Sequence, residues 1–411
     1  MAKDRALAHA LDLLDRIPLL DGHNDLPWVI RADRDARGDV AVWEPGRVHQ
    51  GHDTDIPRLK EGKVAAQFWA GFIPTHSPHP GRTVMEVLDV TLQMEERYPD
   101  VFLPARKASD VARAKALGKI ASFLTVEGGV GLENSLSPLR IWYGVGMRLM
   151  TLCHNETLDW VDSATDAPRH GGLTAFGRAV IEELNRLGVI IDLAHVAPSV
   201  MHQVLDLSEA PVVFSHSNAF ALCDHPRNVP DDVLARVKGA GAVVMATFVP
   251  AFINQQVRDW YRPLSDPWGK AAPSPPQPGP EEEHLRRSGA APKATLEQLC
   301  GHIEYIVQKT GLAHVGIGSD FFGGRVPVGL ENVSRFPHLL AELIRRGWSD
   351  EAIAGIAAGN FLRAFRQVER VSRRLRRTQA PRVGTVADYD GKDAEKRGRP
   401  ASAQAQRTAA S

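Results

Sequence analysis

Histidines and carboxylates follow several apolar runs in this chain, and these residue types are the usual nitrogen and oxygen ligands of divalent metals. The first example is LLDGHNDLPW (19–28), in which an apolar pair leads into His23 and Asp25. Their i, i+2 spacing predicts that both side chains leave a strand on the same face, so one metal ion can take both. Asp21 and Asn24 are interpreted as supporting or turn residues.

The same pattern recurs later in the sequence, because an acidic or imidazole side chain follows five further apolar runs. These residues are Glu127, His154, His195, His216 and Asp320. Each one alone has an ordinary explanation, such as a hydrogen-bonded surface His or an Asp that caps a helix. Together they predict a hydrolytic metal site, with Zn²⁺ as the expected ion and Mn²⁺ or Co²⁺ as substitutes.

An arrangement of two metal ions uses these side chains most economically. We expect His23 and Asp25 to hold one ion and His195 and His216 to hold the other. Glu127 would bridge them, with one carboxylate oxygen on each. Two ions about 3.5–4 Å apart would hold a hydroxide between them and polarise a scissile carbonyl.

The elements that must position these residues are buried parallel strands, which are recognised as apolar runs ending in polar residues. Eight such runs are present: 17–25, 64–72, 119–129, 145–155, 187–195, 210–216, 241–248 and 314–321. Segments with helical period are 4–16, 82–97, 107–117, 174–187, 198–208, 230–239 and 295–310. The alternation predicts an α/β fold, a (β/α)8 TIM barrel with its site at the C-terminal ends of the strands. An open doubly wound sheet is the alternative, but no Gly-rich phosphate loop follows the first strand.

We predict one catalytic domain, residues 1–371, with a Pro/Gly-rich insertion loop at 263–293. Residues 372–411 are expected to form a basic, Ala-rich tail that is largely disordered. The arginine-rich segment 369–382 is interpreted as a solvated helix end, with a basic anchor for an acidic partner as the alternative.

The composition is that of an ordinary globular protein, 43% hydrophobic and 24% charged. Lys plus Arg and Asp plus Glu each number 49, a balance that predicts neither nucleic-acid nor membrane-surface binding. No run reaches the ~20 apolar residues that span a bilayer. Charged residues near the start interrupt any apolar core of the signal-peptide kind, so we expect a cytoplasmic protein.

Three cysteines, Cys153, Cys223 and Cys300, do not make a disulfide framework, and their wide spacing excludes a Cys-based zinc finger. Cys153 lies next to His154, which raises the alternative of a thiol nucleophile. Adjacent residues of a strand point to opposite faces, so this alternative is not favoured.

Seven motifs, in chain order, resemble the renal or membrane dipeptidase family of zinc metallopeptidases. They are DGHNDLPW, FLTVEGG, RLMTLCHN, IDLAHV, VVFSHSNA, HPRNVPDD and GIGSDFFG. The resemblance runs from about residue 17 to residue 366 and implies a (β/α)8 barrel with two zinc ions that cleaves dipeptides. It also suggests a homodimer. The zinc ligands that it implies are His23, Asp25, Glu127, His195 and His216, with Glu127 as the bridge.

The resemblance implies roles for three further residues. His154 would contact the substrate and stabilise the oxyanion of the tetrahedral intermediate. Arg227, in HPRNVPDD, would bind the substrate's C-terminal carboxylate as a bidentate partner. Asp320 would be the acid/base that handles the proton of the bridging water and of the leaving amine. Arg227 carries no signal of its own, because an Arg in a Pro/Asn loop is usually a surface residue.

The leading hypothesis is a zinc dipeptidase, which can also accept a D residue at the C-terminal position. An alternative within the same chemistry is an amidohydrolase that acts on N-acyl or otherwise modified amino acids. A more remote alternative is a catalytically silent binding protein on the same barrel. Mammalian family members are secreted and lipid-anchored, whereas this chain resembles the intracellular bacterial members. The insertion at 263–293 lies where it can alter substrate specificity.

Overall fold

The computed structural model describes residues 4–264 and 289–392. Within these residues, eight parallel strands form a barrel in which each strand pairs with the next one along the chain. They are β1 (Leu19–Asn24), β2 (Val64–Trp69), β3 (Ile120–Glu127), β4 (Met147–Thr151), β5 (Ile190–Asp192), β6 (Val213–Phe214), β7 (Val243–Ala246) and β8 (Val315–Ile317). Every strand lies inside one of the predicted runs, so the predicted (β/α)8 barrel is confirmed.

The barrel closes between β8 and β1, where the pairing is short. One parallel bridge joins Asn24 to Phe321. The Asp320 amide donates to the His23 carbonyl at 3.1 Å, and the Asp25 amide donates to the Phe321 carbonyl at 3.1 Å. These bonds lie at the ends of the strands, so the closure brings two predicted site segments side by side. A short additional strand, Phe102–Pro104, pairs with the start of β3.

Helices surround the barrel, and the seven predicted helical segments agree with the structure to within two residues at each end. Their cap residues follow the expected chemistry: the Thr174 side chain accepts from the Gly177 amide, and Gly188 ends the same helix in the left-handed region at φ 82°. The helices are Arg5–Arg16, Leu26–Ala32, Val40–Trp43, Ile56–Glu61, Pro80–Arg97, Ala108–Ala116, Ser137–Val145, Ala175–Leu187, Pro198–Leu207, Asp231–Val237, Pro250–Ile253, Gln255–Tyr261, Leu296–Thr310, Phe336–Arg345, Asp350–Ala354, Asn360–Thr378 and Val386–Asp390.

The hydrophobic core has two parts. The larger part packs one side of the strands, for example Leu19 and Ile317, against the surrounding helices. The smaller part contains alternate strand residues near the strand starts, and Phe68 stacks on Phe123 there with ring centroids 4.4 Å apart. Phe361 of the helix Asn360–Thr378 meets Phe68 at 4.9 Å, so this helix packs at the N-terminal end of the barrel. Polar residues occupy the opposite end, at the C-terminal ends of the strands.

The predicted boundary after residue 371 lies within the helix Asn360–Thr378, and the domain division itself stays a prediction. Ser372 is buried, and its hydroxyl donates to the Arg186 carbonyl at 2.8 Å. Arg374 pairs with Glu209 at 2.6 Å and Arg376 donates to the Leu187 carbonyl at 2.8 Å. The segment 369–382 is thus in part a helix end bonded to its own chain. The buried face of this helix could not be recognised from the sequence, because many arginines lie on its exposed face.

Two predicted features fall partly outside the described residues. They are the insertion loop, of which residues 265–288 are not described, and the tail beyond residue 392. None of the helices in the described ranges has both the length and the apolar content needed to cross a membrane.

Candidate metal centre

The predicted metal ligands lie together at the C-terminal ends of the barrel strands. The Oε1 atom of Glu127 is 3.1 Å from Nε2 of His195 and 3.4 Å from Nε2 of His216. Its other oxygen, Oε2, is 3.3 Å from Nε2 of His23. Asp25 begins the helix after β1, and its Oδ2 atom is 3.8 Å from the same His23 nitrogen. Glu127 therefore lies between one histidine on one side and two on the other, as a bridging ligand would.

Hydrogen bonds orient the two imidazoles on the β5 and β6 side. The Asn155 side-chain oxygen lies 3.2 Å from Nδ1 of His195, and the Ser215 hydroxyl lies 2.7 Å from Nδ1 of His216. Both rings thus point Nε2 at the same place, and the two Nε2 atoms are only 3.0 Å apart. If both rings carry their proton on Nδ1, the two Nε2 lone pairs face each other at this separation and repel unless a cation lies between or beside them.

The charges around Glu127 also favour a cation. Although burial opposes the charge on the His23 ring, Glu127, Asp25 and Asp320 raise its pKa well above the usual value. Burial together with Glu127 and Asp320 raises the pKa of Asp25 well above that of an ordinary carboxyl. Burial would raise the pKa of Glu127 as well, but the nearby histidines hold it well below its usual range. The cluster needs positive charge, and a divalent ion would supply it.

The donor set fits zinc because its ligand types suit the ion and because two of its buried atoms lack hydrogen-bond partners among the described residues. Three overlapping groups have ligand atoms within 4.8 Å of one another: His23, Glu127 and His216; Glu127, His154 and His195; and His23, Asp25 and Asp320. Imidazole nitrogens and carboxylate oxygens are the ligands of catalytic zinc. Within the described part of the chain, His23 Nε2 and Asp25 Oδ1 are buried without a hydrogen-bond partner. Buried polar atoms are rarely left unpaired, so both are suited to a metal ion.

Asp320 and His154 lie at the edge of this cluster. An oxygen of Asp320 is 3.8 Å from Nε2 of His23, and burial raises the Asp320 pKa to about 6. Asp320 and His195 both have left-handed backbone angles, with φ 62° and 72°, a costly conformation that is often found at functional sites. The half-buried His154 ring packs 4.2 Å from His195 and 4.7 Å from Phe72, and burial lowers its pKa to about 4. His154 is therefore neutral near pH 7.

Arg227 is buried beside the same cluster, with only 2% of its surface exposed. Its Nη2 donates to the His216 carbonyl at 3.3 Å, and its guanidinium lies 5.4 Å from the centre of the Phe252 ring. Its Nε and Nη1 atoms have no hydrogen-bond partner among the described residues. A buried guanidinium with two unused N–H groups next to a metal-ligand cluster is suited to a carboxylate.

Cys153 does not take part in this chemistry. Its side chain is fully buried, and burial raises the pKa of the thiol far above its ordinary value. A protonated, buried thiol is a poor nucleophile, in agreement with the expectation from strand geometry.

Sequence reasoning missed the residues that hold these groups in place. Asn155, Asp192 and Ser215 were not singled out, although each is adjacent to, or within three residues of, a predicted site residue. A single Asn, Asp or Ser next to a site residue carries no specific pattern, and its role becomes visible only from the contacts.

The fold and the site define a metal-dependent hydrolase on a (β/α)8 barrel. The chain belongs to the membrane dipeptidase family, peptidase family M19, whose sequence profile matches residues 7–379. The expectation from the sequence motifs is thereby confirmed.

Individual relatives support the same assignment. Dipeptidase verJ of Clonostachys rogersoniana is 34% identical over 389 residues, which are 91% of this chain and 90% of the relative. Dipeptidase 3 of Rattus norvegicus is 35% identical over 376 residues, 89% of this chain and 68% of the relative. The crystal structure of the probable dipeptidase PvdM from Pseudomonas aeruginosa has a TM-score of 0.76 at 29% identity. That match covers 89% of this chain and 99% of PvdM.

Proposed function

We propose that this chain is a dipeptidase with two zinc ions that share Glu127. The observation that carries the proposal is the convergence on Glu127, whose two oxygens lie 3.1–3.4 Å from the Nε2 atoms of His195, His216 and His23. When bound, two zinc ions would polarise the substrate carbonyl and lower the pKa of a water held between them. The residues of the chain then have to bind the substrate, orient it and move protons.

Arg227 would bind the C-terminal carboxylate of the substrate. Its Nε and Nη1 have no hydrogen-bond partner among the described residues and are free to donate to a carboxylate, and the site is buried, which strengthens the interaction. A carboxylate bound by Arg227 would lie beside the metal ligands, because Arg227 donates to the carbonyl of the predicted ligand His216. The enzyme would therefore act on the last peptide bond of its substrate.

His154 and Asp320 would handle the charge and the protons of the reaction. The neutral His154 ring lies beside His195, where a ring N–H can donate to the developing oxyanion. The Asp320 carboxyl lies 3.8 Å from His23 Nε2 and would accept a proton from water and pass it to the leaving amine.

We also propose that a D residue is accepted at the C-terminal position. Recognition through the C-terminal carboxylate and the scissile carbonyl of the preceding residue would fix the main chain on both sides of the C-terminal Cα atom. The two configurations then differ in where the side chain points, and that direction is not fixed by either group.

The test is a set of dipeptides assayed with purified protein. L-L and L-D dipeptides should be hydrolysed, chelator should abolish hydrolysis, and Zn²⁺ should restore it. Each dipeptide is compared with its N-acetylated counterpart. Faster hydrolysis of the blocked compounds would contradict the dipeptidase proposal and support an amidohydrolase of N-acyl amino acids. The predicted homodimer, the cytoplasmic location and the absence of nucleic-acid and membrane partners stay predictions.

A further inference from the structure

Two fully buried aspartates, Asp21 and Asp192, have the same set of contacts at two places in the barrel. In each, Oδ1 accepts the backbone N–H of a serine on a neighbouring strand end at 2.8 Å. In each, Oδ2 accepts the hydroxyl of the same serine, Ser319 at 2.7 Å and Ser215 at 2.6 Å. We call these the Asp21–Ser319 clamp and the Asp192–Ser215 clamp.

Each clamp also reaches the strand on its other side. Gln67 of β2 donates to Asp21 Oδ2 at 3.0 Å, and Thr151 of β4 donates to Asp192 Oδ2 at 2.6 Å. Few backbone pairs join the strands at these two places. In the described residues, β5 pairs with β6 only through Asp192 and Val213, and β8 meets β1 through a single bridge. The two aspartate carboxylates therefore take the place of backbone hydrogen bonds between strands at the strand ends that carry the site residues.

The two clamps differ in one contact. The Ser215 hydroxyl lies 2.7 Å from Nδ1 of the adjacent His216. Among the described residues the Ser319 hydroxyl has no hydrogen bond to an imidazole, and its second acceptor, which competes with Asp21 for the one hydrogen, is the His23 carbonyl oxygen at 3.1 Å. A hydroxyl has one hydrogen, and Ser215 gives it to the Asp192 carboxylate. Toward His216 the oxygen can then only accept, so Nδ1 carries the proton and Nε2 presents its lone pair.

We propose that Asp192 and Ser215 are positioning residues that set the tautomer of His216 for metal binding, whereas the Asp21–Ser319 clamp only joins strands. The inference rests on the proposed zinc centre and concerns one of its two ions. It predicts that zinc affinity depends on the direction of the Asp192–Ser215–His216 hydrogen bonds as well as on their presence.

Asp192→Asn tests the direction, because the new side chain has nearly the same shape. Its oxygen would keep the bonds of Oδ1, and its NH₂ group would face the Ser215 hydroxyl and reverse that hydrogen bond. The hydroxyl would then donate to Nδ1 of His216 and place the ring proton on Nε2, where the metal binds. Ser215→Ala removes the chain altogether. The matched controls are Asp21→Asn and Ser319→Ala, which make the same chemical changes in the other clamp.

Zinc affinity is measured for all five proteins by titration against a chromophoric chelator, together with Tm of the metal-free forms. We expect Asp192→Asn and Ser215→Ala to bind one of the two zinc ions about 10–100-fold more weakly, as is usual when a metal-binding His loses its partner. The two controls should lower Tm by a similar amount and should not show a loss of zinc affinity of about 10–100-fold, because no partner of a metal-binding ring is lost.

Equal zinc loss in both pairs of variants would overturn the inference, because it would show a general effect of loosened strands. Two zinc ions bound at parental affinity in Asp192→Asn or in Ser215→Ala would overturn it as well. Failure of the parent protein itself to bind zinc would instead contradict the proposed function, so the two failures are distinguishable.

Discussion

At the scale of single residues, the proposed function assigns some groups of the site to metal binding and others to the substrate. His195, His216 and His23 surround the Glu127 carboxylate at 3.1–3.4 Å, and Asp320 and Arg227 lie beside that cluster with different tasks. The separation predicts that metal content and turnover can be lost independently.

Asp320→Asn should abolish proton transfer and leave the zinc ligands in place. We expect kcat to fall by about 10²–10⁴-fold, the range for loss of a general acid–base group, with unchanged zinc content. The measurements are steady-state kinetics and metal analysis of the same preparation. Asp53→Asn is the control, since the Asp53 carboxyl accepts the nearby Phe322 amide at 3.1 Å and an Asn can still accept it. Unchanged turnover in Asp320→Asn would remove Asp320 from the mechanism.

Arg227→Lys should weaken recognition of the substrate carboxylate, because a lysine cannot offer two parallel donors. Loss of a charged hydrogen bond costs about 1.5–3 kcal/mol, so kcat/KM should fall by about 10–150-fold. A dipeptide and its C-terminal amide are compared in both proteins. The parent should strongly prefer the free carboxylate and the variant should prefer it much less. An equal preference in both proteins would show that Arg227 does not bind that group.

At the scale of secondary-structure elements, strands could be predicted better than the contacts between them. All eight strands lie within apolar runs because parallel strands buried on both faces must be apolar. The short helices Leu26–Ala32 and Val40–Trp43 were not predicted, since they are too short for a helical period to be recognised. The positions of the predicted metal ligands could be read from the ends of the predicted strands. Arg227 could be predicted only from the family resemblance, and the two clamps could be found only from three-dimensional contacts.

Glu95, on the helix Pro80–Arg97, makes stability depend on pH at a distance from the metal centre. Burial raises its pKa to about 7 from an ordinary 4.5, against smaller opposing effects of Ser122 and Arg106. Because the folded state holds this proton more tightly, its stabilising contribution is complete below pH 4.5. The contribution falls as the pH rises from 4.5 through 7 and then stays constant.

Glu95→Gln should remove this dependence, because the amide does not ionise. The stability of the variant relative to the parent should rise by up to about 3 kcal/mol between acidic and mildly alkaline pH. Urea unfolding at several pH values measures the difference, with the exposed Glu96→Gln as control. A difference between variant and parent that does not change with pH would contradict the assignment to Glu95.

At the scale of the whole molecule, the segment around Asp390 packs against a helix that is distant in the sequence. Asp390 accepts the Thr174 hydroxyl at 2.7 Å and the Ala175 amide at 2.9 Å, so it caps the helix Ala175–Leu187 from more than 200 residues away. Tyr389 next to it is buried against Phe176, with ring centroids 6.0 Å apart. Residues 372–392 are therefore part of the folded body.

Asp390→Ala should destabilise the protein by about 1–2 kcal/mol, the usual cost of a lost helix cap with its charge. Thermal unfolding of the variant measures this loss, and the exposed Lys392→Ala serves as control. Turnover at 25 °C should be unchanged, because the segment lies away from the metal ligands. Parental stability in Asp390→Ala would contradict the role of the C-terminal segment as a cap.

The most direct test of the proposed two-zinc centre is a zinc titration of the metal-free protein, with dipeptide hydrolysis and bound metal measured in the same samples. Hydrolysis should be absent without metal and should rise until two zinc ions are bound per chain. Full hydrolysis with fewer than about one zinc per chain, or hydrolysis that survives complete removal of metal, would contradict a shared two-zinc centre at Glu127.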